Sequence, residues 1–498
     1  MNKLIASSIL MSGAGLFAGD KIEQKNYNVL FIIADDLTAT AISTYDNKAC
    51  PTPNVERLAE EGTVFTQAYC QFPVCGPSRA SFMYSYYPHA TRNFGYNSGR
   101  KNVGPDTPTW TQHFKNNGYN ATRVSKIYHM GVPHDIYKGT DGADDPASWT
   151  QKFNCKGPEA DCAGEAEVLS GNPDGTKKHS GMGGGTSFIN VKAEGDDLFH
   201  ADGKAAQKAC ELLKELKDEK FFLALGFVRP HVPFVAPKKY FEPFPHGSIA
   251  LPEKIENDQA DIPKLGINYK TSQNTKMSIE QQKKAVSGYY ASVTYMDAQV
   301  GRVLDALEKE GLEDNTIVIF TSDHGYHLGE HDFWSKVGLM DESSKVPLII
   351  KVPGQKPGRC NSFVELIDLY PTVASLCGLK IPKHVQGKNI TKLLEDPTQK
   401  VRDAAFCVNH KKSFLLRTDK WAFIQHGEDA SLGLQLYDMQ KDPKQYTNLA
   451  DQPEYKAIID QFKIQLKDKL KNVRDTGIIH RLPPKPVKKS KKNKSPKH

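Results

Sequence analysis

The sequence predicts an α/β fold built on a doubly wound, mostly parallel sheet with helices on both faces. Two continuous apolar runs carry this prediction, Asn28–Ala34 and Thr316–Phe320. Strands that are buried on both faces of a parallel sheet read as unbroken apolar runs rather than as alternating patterns. Helical patterns alternate with strands between the two runs, as a doubly wound sheet requires.

Two helices between these strands can be placed from local signals. Ser278 and Gln281 have the spacing of a capping box and predict the start of a long helix, which we expect to stop at Gly311. A second helix is expected over Ala205–Leu216, followed by a strand over Phe221–Phe227. Both helices are long enough to cover a sheet face.

Composition divides the chain into four parts. The first residues carry a lysine, an apolar run and then small residues, which is typical of a secretory signal, the alternative being a frayed N-terminal helix. The segment Asp141–Asp197 is rich in Gly, Asp, Lys and Ser and is predicted to be a surface insertion. After about Asp396 the pattern changes to short strands and then a helix over Glu454–Leu470, a small antiparallel sheet with one helix. We therefore expect a signal peptide (1–19), a catalytic domain (20–395), a C-terminal subdomain (396–480) and a disordered basic tail (481–498).

The net charge of +7 does not indicate nucleic-acid binding, because it is concentrated in one place. The tail 481–498 holds eight Lys or Arg residues and no acid, so the rest of the chain is close to neutral. This Pro- and Lys-rich tail is either a solubilising end or a weak tether to an anionic polysaccharide or surface. Beyond the signal, no apolar run is long enough to cross a bilayer, and no transmembrane segment is expected.

Nine cysteines, an odd number, fit an exported protein in which one thiol has a separate task. Cys155 and Cys162 lie in one Gly-rich loop and could close a small disulfide ring. Buried free thiols are the simplest expectation for Cys210, Cys360, Cys377 and Cys407.

Cys75 is the cysteine with the most informative surroundings, VCGPSRASFMYSYYP. Pro77 favours the first turn of a helix that we expect to continue through Tyr87, with Arg79 one turn after Cys75 on the same face. The free N–H groups of the helix start attract anions, Arg79 adds a fork for a tetrahedral oxyanion, and a thiolate is expected to be stabilised there. Cys75 is therefore a candidate nucleophile toward phosphate or sulfate, the alternative being a core cysteine.

Acidic residues end both apolar runs. Asp35 and Asp36 follow the first, and Asp323 and His324 follow the second. Because ligands of open α/β sheets bind at the carboxyl ends of the strands, these residues are expected to meet at one edge of the sheet.

Several motifs together resemble the type I sulfatases of the alkaline phosphatase superfamily: C-x-P-S-R, the early Asp-Asp pair and the late S-D-H-G. The resemblance is closer to iduronate-2-sulfatases and their bacterial relatives, and it extends from about Tyr27 to Leu449. It implies an alkaline-phosphatase-like sheet and rests on the segments VSKIYHMG (124–131), FVRPHVPFVAP (227–237), TSDHGYHLGEHDFWSK (321–336) and VELIDLYPTVASLCGL (364–379).

The resemblance implies that a formylglycine-generating maturation enzyme oxidises Cys75 to an aldehyde before export. One hydroxyl of the hydrated aldehyde attacks sulfur, and the other then expels sulfate, which a serine could not do. The implied activity is hydrolysis of a sulfate ester on a sulfated sugar, with 2-O-sulfated uronate favoured. This chain has Met83-Tyr84-Ser85 where sulfatases commonly have Leu-Thr-Gly, which leaves the efficiency of the oxidation open.

The same resemblance implies the roles of the other site residues. A calcium ion, which prefers hard oxygen ligands, would be held by Asp35, Asp36, Asp323 and His324. Sulfate would be bound by Lys126 and Lys336, the formylglycine hydroxyl would be contacted by His129, and the leaving oxygen would be protonated by His231. Lys126 and His129 share one face if their segment is helical. Weaker candidates for the substrate pocket are His134, His327 and His331.

Two other functions stay open at this point. A chain in which Cys75 is unmodified would be a catalytically inactive protein that binds sulfated glycans. A phosphate or phosphonate monoester hydrolase would carry the same signature.

Overall fold

The structure is a computed structural model that describes residues 26–170, 188–409 and 412–474. The predicted signal peptide and basic tail lie outside these ranges. The strands are β1 (Asn28–Asp35), β2 (Thr63–Phe65), β3 (Ala68–Tyr69), β4 (Asn120–Ser125), β5 (Gln151–Phe153), β6 (Gly164–Val168), β7 (Ile189–Ala193), β8 (Phe221–Pro230), β9 (Phe234–Pro237), β10 (Thr316–Ser322), β11 (His327–Leu328), β12 (Trp334–Ser335), β13 (Lys345–Val346), β14 (Leu348–Lys351), β15 (Gly358–Cys360), β16 (Val364–Glu365), β17 (Ala405–Asn409), β18 (Ser413–Arg417), β19 (Trp421–His426) and β20 (Leu434–Asp438). The helices are α1 (Pro53–Glu61), α2 (Cys75–Tyr84), α3 (Pro88–Thr91), α4 (Arg100–Val103), α5 (Trp110–Asn116), α6 (His134–Lys138), α7 (Ala201–Glu215), α8 (Ser272–Thr275), α9 (Ile279–Lys309), α10 (Asp341–Ser344), α11 (Leu369–Leu376), α12 (Thr391–Glu395) and α13 (Lys456–Arg474).

The central sheet has eight strands in the order β15-β2-β14-β10-β1-β8-β4-β5. β1 lies at its centre and pairs in parallel with β10 on one side and β8 on the other. β14 is antiparallel to both of its neighbours, β10 and β2. The prediction of a mostly parallel sheet is confirmed, and the two predicted apolar strands are adjacent.

Side chains of β1 alternate between two buried layers, one on each face of the sheet. Helices cover both layers, as in a doubly wound sheet. Leu30 and Ile32 pack into a cluster with residues of α1, α7 and α9. Phe31 and Ile33 face the opposite side, into a cluster with residues of α2, α5, α11 and α12. Because both faces are covered by helices, the strand needs apolar residues at every position.

The four strands β17 to β20 form a separate antiparallel sheet in sequence order. α13 packs on it, with the ring of Phe462 stacked on that of Phe423 at a centroid distance of 5.1 Å. A small C-terminal antiparallel sheet with one helix was predicted, and it is confirmed. The residue boundaries given to the four parts of the chain stay a prediction.

The predicted local signals are confirmed for the long helix. Ser278 is the N-cap of α9, its hydroxyl accepts from the Gln281 amide, and the Gln281 side chain completes the capping box. α9 ends at Lys309, and Gly311 follows it with a left-handed φ of 69°. The other helix, α7, begins at Ala201, four residues before the expected start.

Two expectations about local structure are wrong. α2 ends at Tyr84 rather than Tyr87, because Ser85 adopts a left-handed φ of 54° and its hydroxyl donates to the carbonyl of Ile367 at 2.6 Å. The segment after β4 is an irregular loop, so Lys126 and His129 do not lie on a helix face.

The expected insertion over 141–197 is only partly a surface loop. Its described residues include β5, which is an edge strand of the central sheet, and the β6–β7 pair. The disulfide considered possible between Cys155 and Cys162 is absent, because both are free thiols, buried in two different apolar clusters. Of the four cysteines expected to be buried free thiols, Cys360, Cys377 and Cys407 are buried and Cys210 is half-buried. Among the described residues, no helix has the length and apolar character needed to span a membrane.

Candidate active site

Three carboxylates meet at the carboxyl edge of the central sheet. Asp35 ends β1, Asp36 follows it with a left-handed φ of 64°, and Asp323 follows β10. The amide of Asp36 donates to Asp323 Oδ1 at 3.2 Å, which joins the two strand ends. All three side chains are fully buried. The parallel pairing of β1 with β10 therefore produces the meeting that the sequence predicted.

Cys75 is the first residue of α2 and points into this carboxylate group. Its Sγ lies 3.6 Å from Asp36 Oδ1 and 3.3 Å from His324 Nε2, and it accepts a hydrogen bond from Lys336 Nζ at 3.0 Å. The residue predicted to be the nucleophile and the residues predicted to bind metal thus form one cluster, although 249 positions separate Cys75 from His324 and 287 separate Asp36 from Asp323.

The guanidinium of Arg79 is enclosed by protein acceptors. Nε donates to Asp323 Oδ2 at 2.8 Å, and Nη2 donates to Asp35 Oδ1 at 3.0 Å. Nη1 donates to the carbonyls of Lys126 and Ile127 at 2.6 and 2.9 Å. The side chain is fully buried, so Arg79 holds the two strand ends and the loop after β4 in register.

Two buried lysines complete the charge balance. Lys126 Nζ donates to Asp35 Oδ2, and Lys336 Nζ donates to Asp36 Oδ1 at 2.5 Å. Burial by itself raises the pKa of Asp35, but the charges of Lys126 and Arg79 hold it well below its usual value. The pKa of Asp36 is lowered in the same way, because the charges around it outweigh its burial. Both carboxylates are therefore held ionised.

The thiol of Cys75 is affected in the opposite direction. Burial raises its pKa well above the usual value, Asp35 raises it further, and the charge of Lys336 lowers it only in part. The expectation that the helix start stabilises a thiolate is therefore wrong. The effect of the helix terminus is outweighed by burial among carboxylates.

The ring of His324 is oriented as a ligand. Nδ1 lies 2.9 Å from the carbonyl of Gly325 and donates to it, which turns Nε2 toward the cluster, 3.3 Å from Asp36 Oδ1. Asp36 Oδ2 is buried and has no hydrogen-bond partner. Potential ligand atoms of Asp35, Asp36, Cys75 and His231 lie within 4.8 Å of one another, as do those of Cys75, Asp323 and His324. Hard carboxylate oxygens and one open acceptor fit a divalent cation such as Ca²⁺.

His231 follows β8 at the same edge, and its Nε2 lies 3.8 Å from Asp36 Oδ2. Its Nδ1 lies 2.5 Å from the carbonyl of Val232, which fixes the ring orientation. Burial lowers the pKa of His231 to about 3, although Asp36 opposes this effect. The structure thus brings His231 into the cluster, beside a carboxylate whose charge favours the protonated ring.

The remaining predicted histidines differ in position. His129 is half-buried, its Nδ1 has no partner, and burial together with the charge of Lys126 lowers its pKa to about 2. His134 is exposed at the first residue of α6. His327 packs its ring against Phe333, and His331 forms an ion pair with Asp258 at 2.8 Å. His134, His327 and His331 therefore gain no support as site residues from these contacts.

A model of the sulfatase family matches residues 27–379, and a model described as the C-terminal part of N-sulphoglucosamine sulphohydrolase matches residues 329–473. The chain belongs to the sulfatase family. A "Sulfatase" of Formosa agariphila is 30% identical to this sulfatase over 88% of this chain and 86% of its own length. The iduronate 2-sulfatase of Homo sapiens is 33% identical, over 74% of this chain and 75% of its own.

A solved structure of the phosphonate monoester hydrolase of Agrobacterium radiobacter has the same fold as this sulfatase. The TM-score is 0.73 at 22% identity, and the alignment covers 90% of this chain and 96% of the other. The likeness confirms the predicted fold class and is too distant in sequence to say more.

Two supporting residues of the sulfatase site were not singled out from the sequence. The Tyr289 hydroxyl donates to the carbonyl of Asp36 at 2.7 Å and accepts from the Thr38 amide at 2.9 Å, which holds the left-handed turn. Arg229 Nη1 donates to the carbonyls of His231 and Pro233 at 2.6 and 2.7 Å. Arg229 stands inside the motif FVRPHVPFVAP, but nothing in that motif says that its side chain turns back onto the histidine loop.

Proposed function

We propose that this sulfatase hydrolyses a sulfate ester on a sulfated sugar, with 2-O-sulfated uronate as the favoured substrate. The observation that carries the proposal is the position of Cys75, at the start of α2 and within 3.6 Å of both Asp36 and His324. A side chain at that position reaches an anion held by Lys336 and by the free N–H groups of the helix. The preference for uronate rests on the similarity to iduronate 2-sulfatase.

The cluster fits a calcium ion, which Asp35, Asp36, Asp323 and His324 would hold. A calcium ion held there would supply a Lewis acid toward the S–O bonds of a sulfate ester. The buried Asp36 Oδ2 without a partner supports this assignment, because such an oxygen is costly unless a cation or donor meets it.

Conversion of Cys75 to formylglycine would supply a hydrated aldehyde, whose two hydroxyls allow both attack on sulfur and release of sulfate. Lys336 lies 3.0 Å from Cys75 Sγ and is placed to neutralise a sulfate there. Lys126 would contribute positive charge beside Asp35, and His129 would contact the formylglycine hydroxyl. Arg79 positions the carboxylates, and His231 would give the proton to the departing sugar oxygen.

The first test is the chemical state of Cys75 together with activity. The protein is produced with a formylglycine-generating enzyme, and the peptide containing Cys75 is measured by mass spectrometry. Turnover of a 2-O-sulfated disaccharide is then compared with turnover of the matching phosphate ester, in wild type and in Cys75→Ala. We expect the aldehyde, faster sulfate release and no turnover by Cys75→Ala.

Three results would overturn this proposal or part of it. A thiol at residue 75 in every molecule of an inactive preparation would favour a glycan-binding protein. Faster cleavage of the phosphate would favour the phosphate or phosphonate hydrolase. Full activity of Cys75→Ala would place the nucleophile elsewhere, with Cys210→Ala as the matched control for loss of a half-buried cysteine outside the site.

We also propose that the protein is exported, with residues 1–19 as the signal, 20–395 as the catalytic domain, 396–480 as the C-terminal subdomain and 481–498 as a basic tail. The N-terminal composition supports export. Cell fractionation and N-terminal sequencing test it, and a mature chain that retains Met1 in the cytoplasm would contradict it.

A further inference from the structure

Two exposed tyrosines lie beside the catalytic cluster. Tyr96 is 60% exposed and Tyr269 is 43% exposed, although most large apolar side chains of the described residues are buried. Tyr96 lies against His129, and the backbone that follows Tyr269 pairs with Phe333 and Trp334, just before Lys336. A tyrosine presents an apolar ring and a polar hydroxyl together, which suits it to a surface that binds a ligand.

One face of the Tyr96 ring is already covered. The ring lies on His129 with a centroid distance of 4.3 Å and an interplanar angle of 30°. The large exposed fraction of Tyr96 therefore belongs mainly to its other face and its edge. The contact fixes the ring in one orientation, so little side-chain entropy remains to be lost when a ligand stacks on the free face.

The backbone that carries Tyr96 is fixed against the start of α2. A Cβ at Gly76 would lie 2.6 Å from the carbonyl oxygen of Gly95 and 2.9 Å from Tyr96 Cα, so only glycine allows this approach. The loop is also closed by Asn93, whose Nδ2 donates to the carbonyl of Asn97 at 2.7 Å. Tyr96 is thus held next to the residue that follows Cys75.

Tyr269 is held by the segment that leads to Lys336. The amide of Trp334 donates to the carbonyl of Lys270 at 3.0 Å, and Thr271 forms a β-bridge with Phe333. The Asn274 side chain donates to the carbonyl of Tyr269 itself at 2.6 Å. Both tyrosines are therefore attached to segments that carry proposed catalytic residues.

We propose that Tyr96 and Tyr269 form the binding surface for the pyranose ring that bears the scissile sulfate, with the free face of Tyr96 stacked on an apolar C–H face of the sugar. The proposal rests on the proposed sulfatase function and names the part of the substrate that these residues recognise. Rigid aromatic rings supply a large contact area to such a ligand at a small conformational cost. The anion site is built separately from lysines and the helix start, so ring recognition and sulfate recognition are separable.

The test measures binding in the unreactive Cys75→Ala background by calorimetry. The ligands are a panel of defined sulfated disaccharides that includes 2-O-sulfated uronate, and inorganic sulfate as a ligand without a ring. Adding Tyr96→Ala is expected to raise the disaccharide Kd at least tenfold and to leave the sulfate Kd within twofold. Tyr96→Phe, which keeps the ring, is expected to stay within threefold of the parent for both ligands.

The matched control is Phe199→Ala, which removes another exposed aromatic ring, one that packs against His200 and Lys204. It should leave both Kd values unchanged. Tyr269→Ala should raise the Kd of the disaccharide and leave the Kd of sulfate unchanged. In the active enzyme, Tyr96→Ala should raise KM for the disaccharide while kcat falls less than threefold.

The outcomes separate this inference from the proposed function. A wild-type enzyme that binds the disaccharides but hydrolyses no sulfate ester contradicts the proposed function. The disaccharide Kd values with and without Tyr96→Ala still test the sugar-binding surface in that case. An unchanged disaccharide Kd in Tyr96→Ala, an equal loss for sulfate and disaccharide, or binding of no disaccharide in the panel would each overturn the sugar-binding surface. A fall in kcat alone would assign Tyr96 to holding His129 and would also overturn it.

Discussion

Replacing Arg79 by lysine tests whether the buried guanidinium holds the site together. Four hydrogen bonds from Arg79 end on two carboxylates and two backbone carbonyls. A lysine ammonium keeps the charge but is compact and cannot reach acceptors that a planar fork contacts in three directions. At least one of Asp35 and Asp323 then loses its buried ionic partner.

The expected loss follows from that count of partners. Removing one partner of a buried ion pair leaves the charge of the other partner buried and unpaired, which lowers the free energy of unfolding by about 3–5 kcal/mol. Each buried carbonyl left without a donor adds about 1–3 kcal/mol, part of which relaxation recovers. We therefore expect Arg79→Lys to lower the free energy of unfolding by at least about 3–5 kcal/mol. The matched control is Arg57→Lys, since the ion pair of Arg57 with Asp305 at 2.7 Å joins side chains that are 38% and 65% exposed. Surface pairs of this kind contribute about 0–1 kcal/mol.

The measurement is a urea titration of wild type and both variants, followed by tryptophan fluorescence under identical conditions. If Arg79→Lys and Arg57→Lys shift the midpoint equally, the guanidinium does not hold the strand ends. A large shift for Arg79→Lys that is also seen in Arg79→Met would agree with the reasoning, because both lose the fork. Wild-type stability of Arg79→Met would refute it.

Three further predictions concern the same edge of the sheet. Gly226→Ala should lower stability by about 1–3 kcal/mol and abolish most activity, because a Cβ there would lie 2.0 Å from the carbonyl oxygen of Lys126. Gly247→Ala is the control, since a Cβ there meets nothing within 4 Å, and equal behaviour of the two variants would refute the steric argument. His231→Ala should lower kcat/KM for a sulfated disaccharide by about 10²–10⁴ but affect 4-nitrophenyl sulfate less, because a good leaving group needs no proton; equal losses would contradict the general-acid role. Chelation should remove activity and lower the melting temperature, both restored by Ca²⁺; full activity in metal-free protein, verified by elemental analysis, would exclude the ion.

The centre of the fold could be predicted from the sequence, and its edges could not. β1 and β10 are long and apolar because both of their faces are buried, and this condition leaves a clear pattern. β14 has only four residues and is antiparallel to its neighbours, and β5 is an edge strand of three residues. Strands this short have no periodicity to detect, and their pairing depends on contacts distant in the chain.

The meeting of the site residues could also be predicted, because parallel topology fixes which strand ends are neighbours. The orientation of individual side chains could not. Arg79 was expected to face a bound anion, yet its guanidinium faces Asp323 and Asp35, since buried carboxylates compete for it. The disulfide that Cys155 and Cys162 could have formed is absent for a related reason. Closeness in sequence does not determine which cluster a thiol packs into.

The chemistry of this edge depends on the same charges that allow it to fold. Parallel strands bring Asp35, Asp36 and Asp323 together whatever the cost of their mutual repulsion, and burial alone would raise the pKa of Asp35 and Asp36. The three cations that oppose this, Arg79, Lys126 and Lys336, come from α2, from the loop after β4 and from the segment after β12. The stretches that carry Cys75, His129 and Lys336 thus also carry the charges that offset the burial of these carboxylates. A substitution among these cations is therefore expected to change stability and anion affinity together, whereas the tyrosines at the rim carry no such charge and can be changed without loosening the cluster.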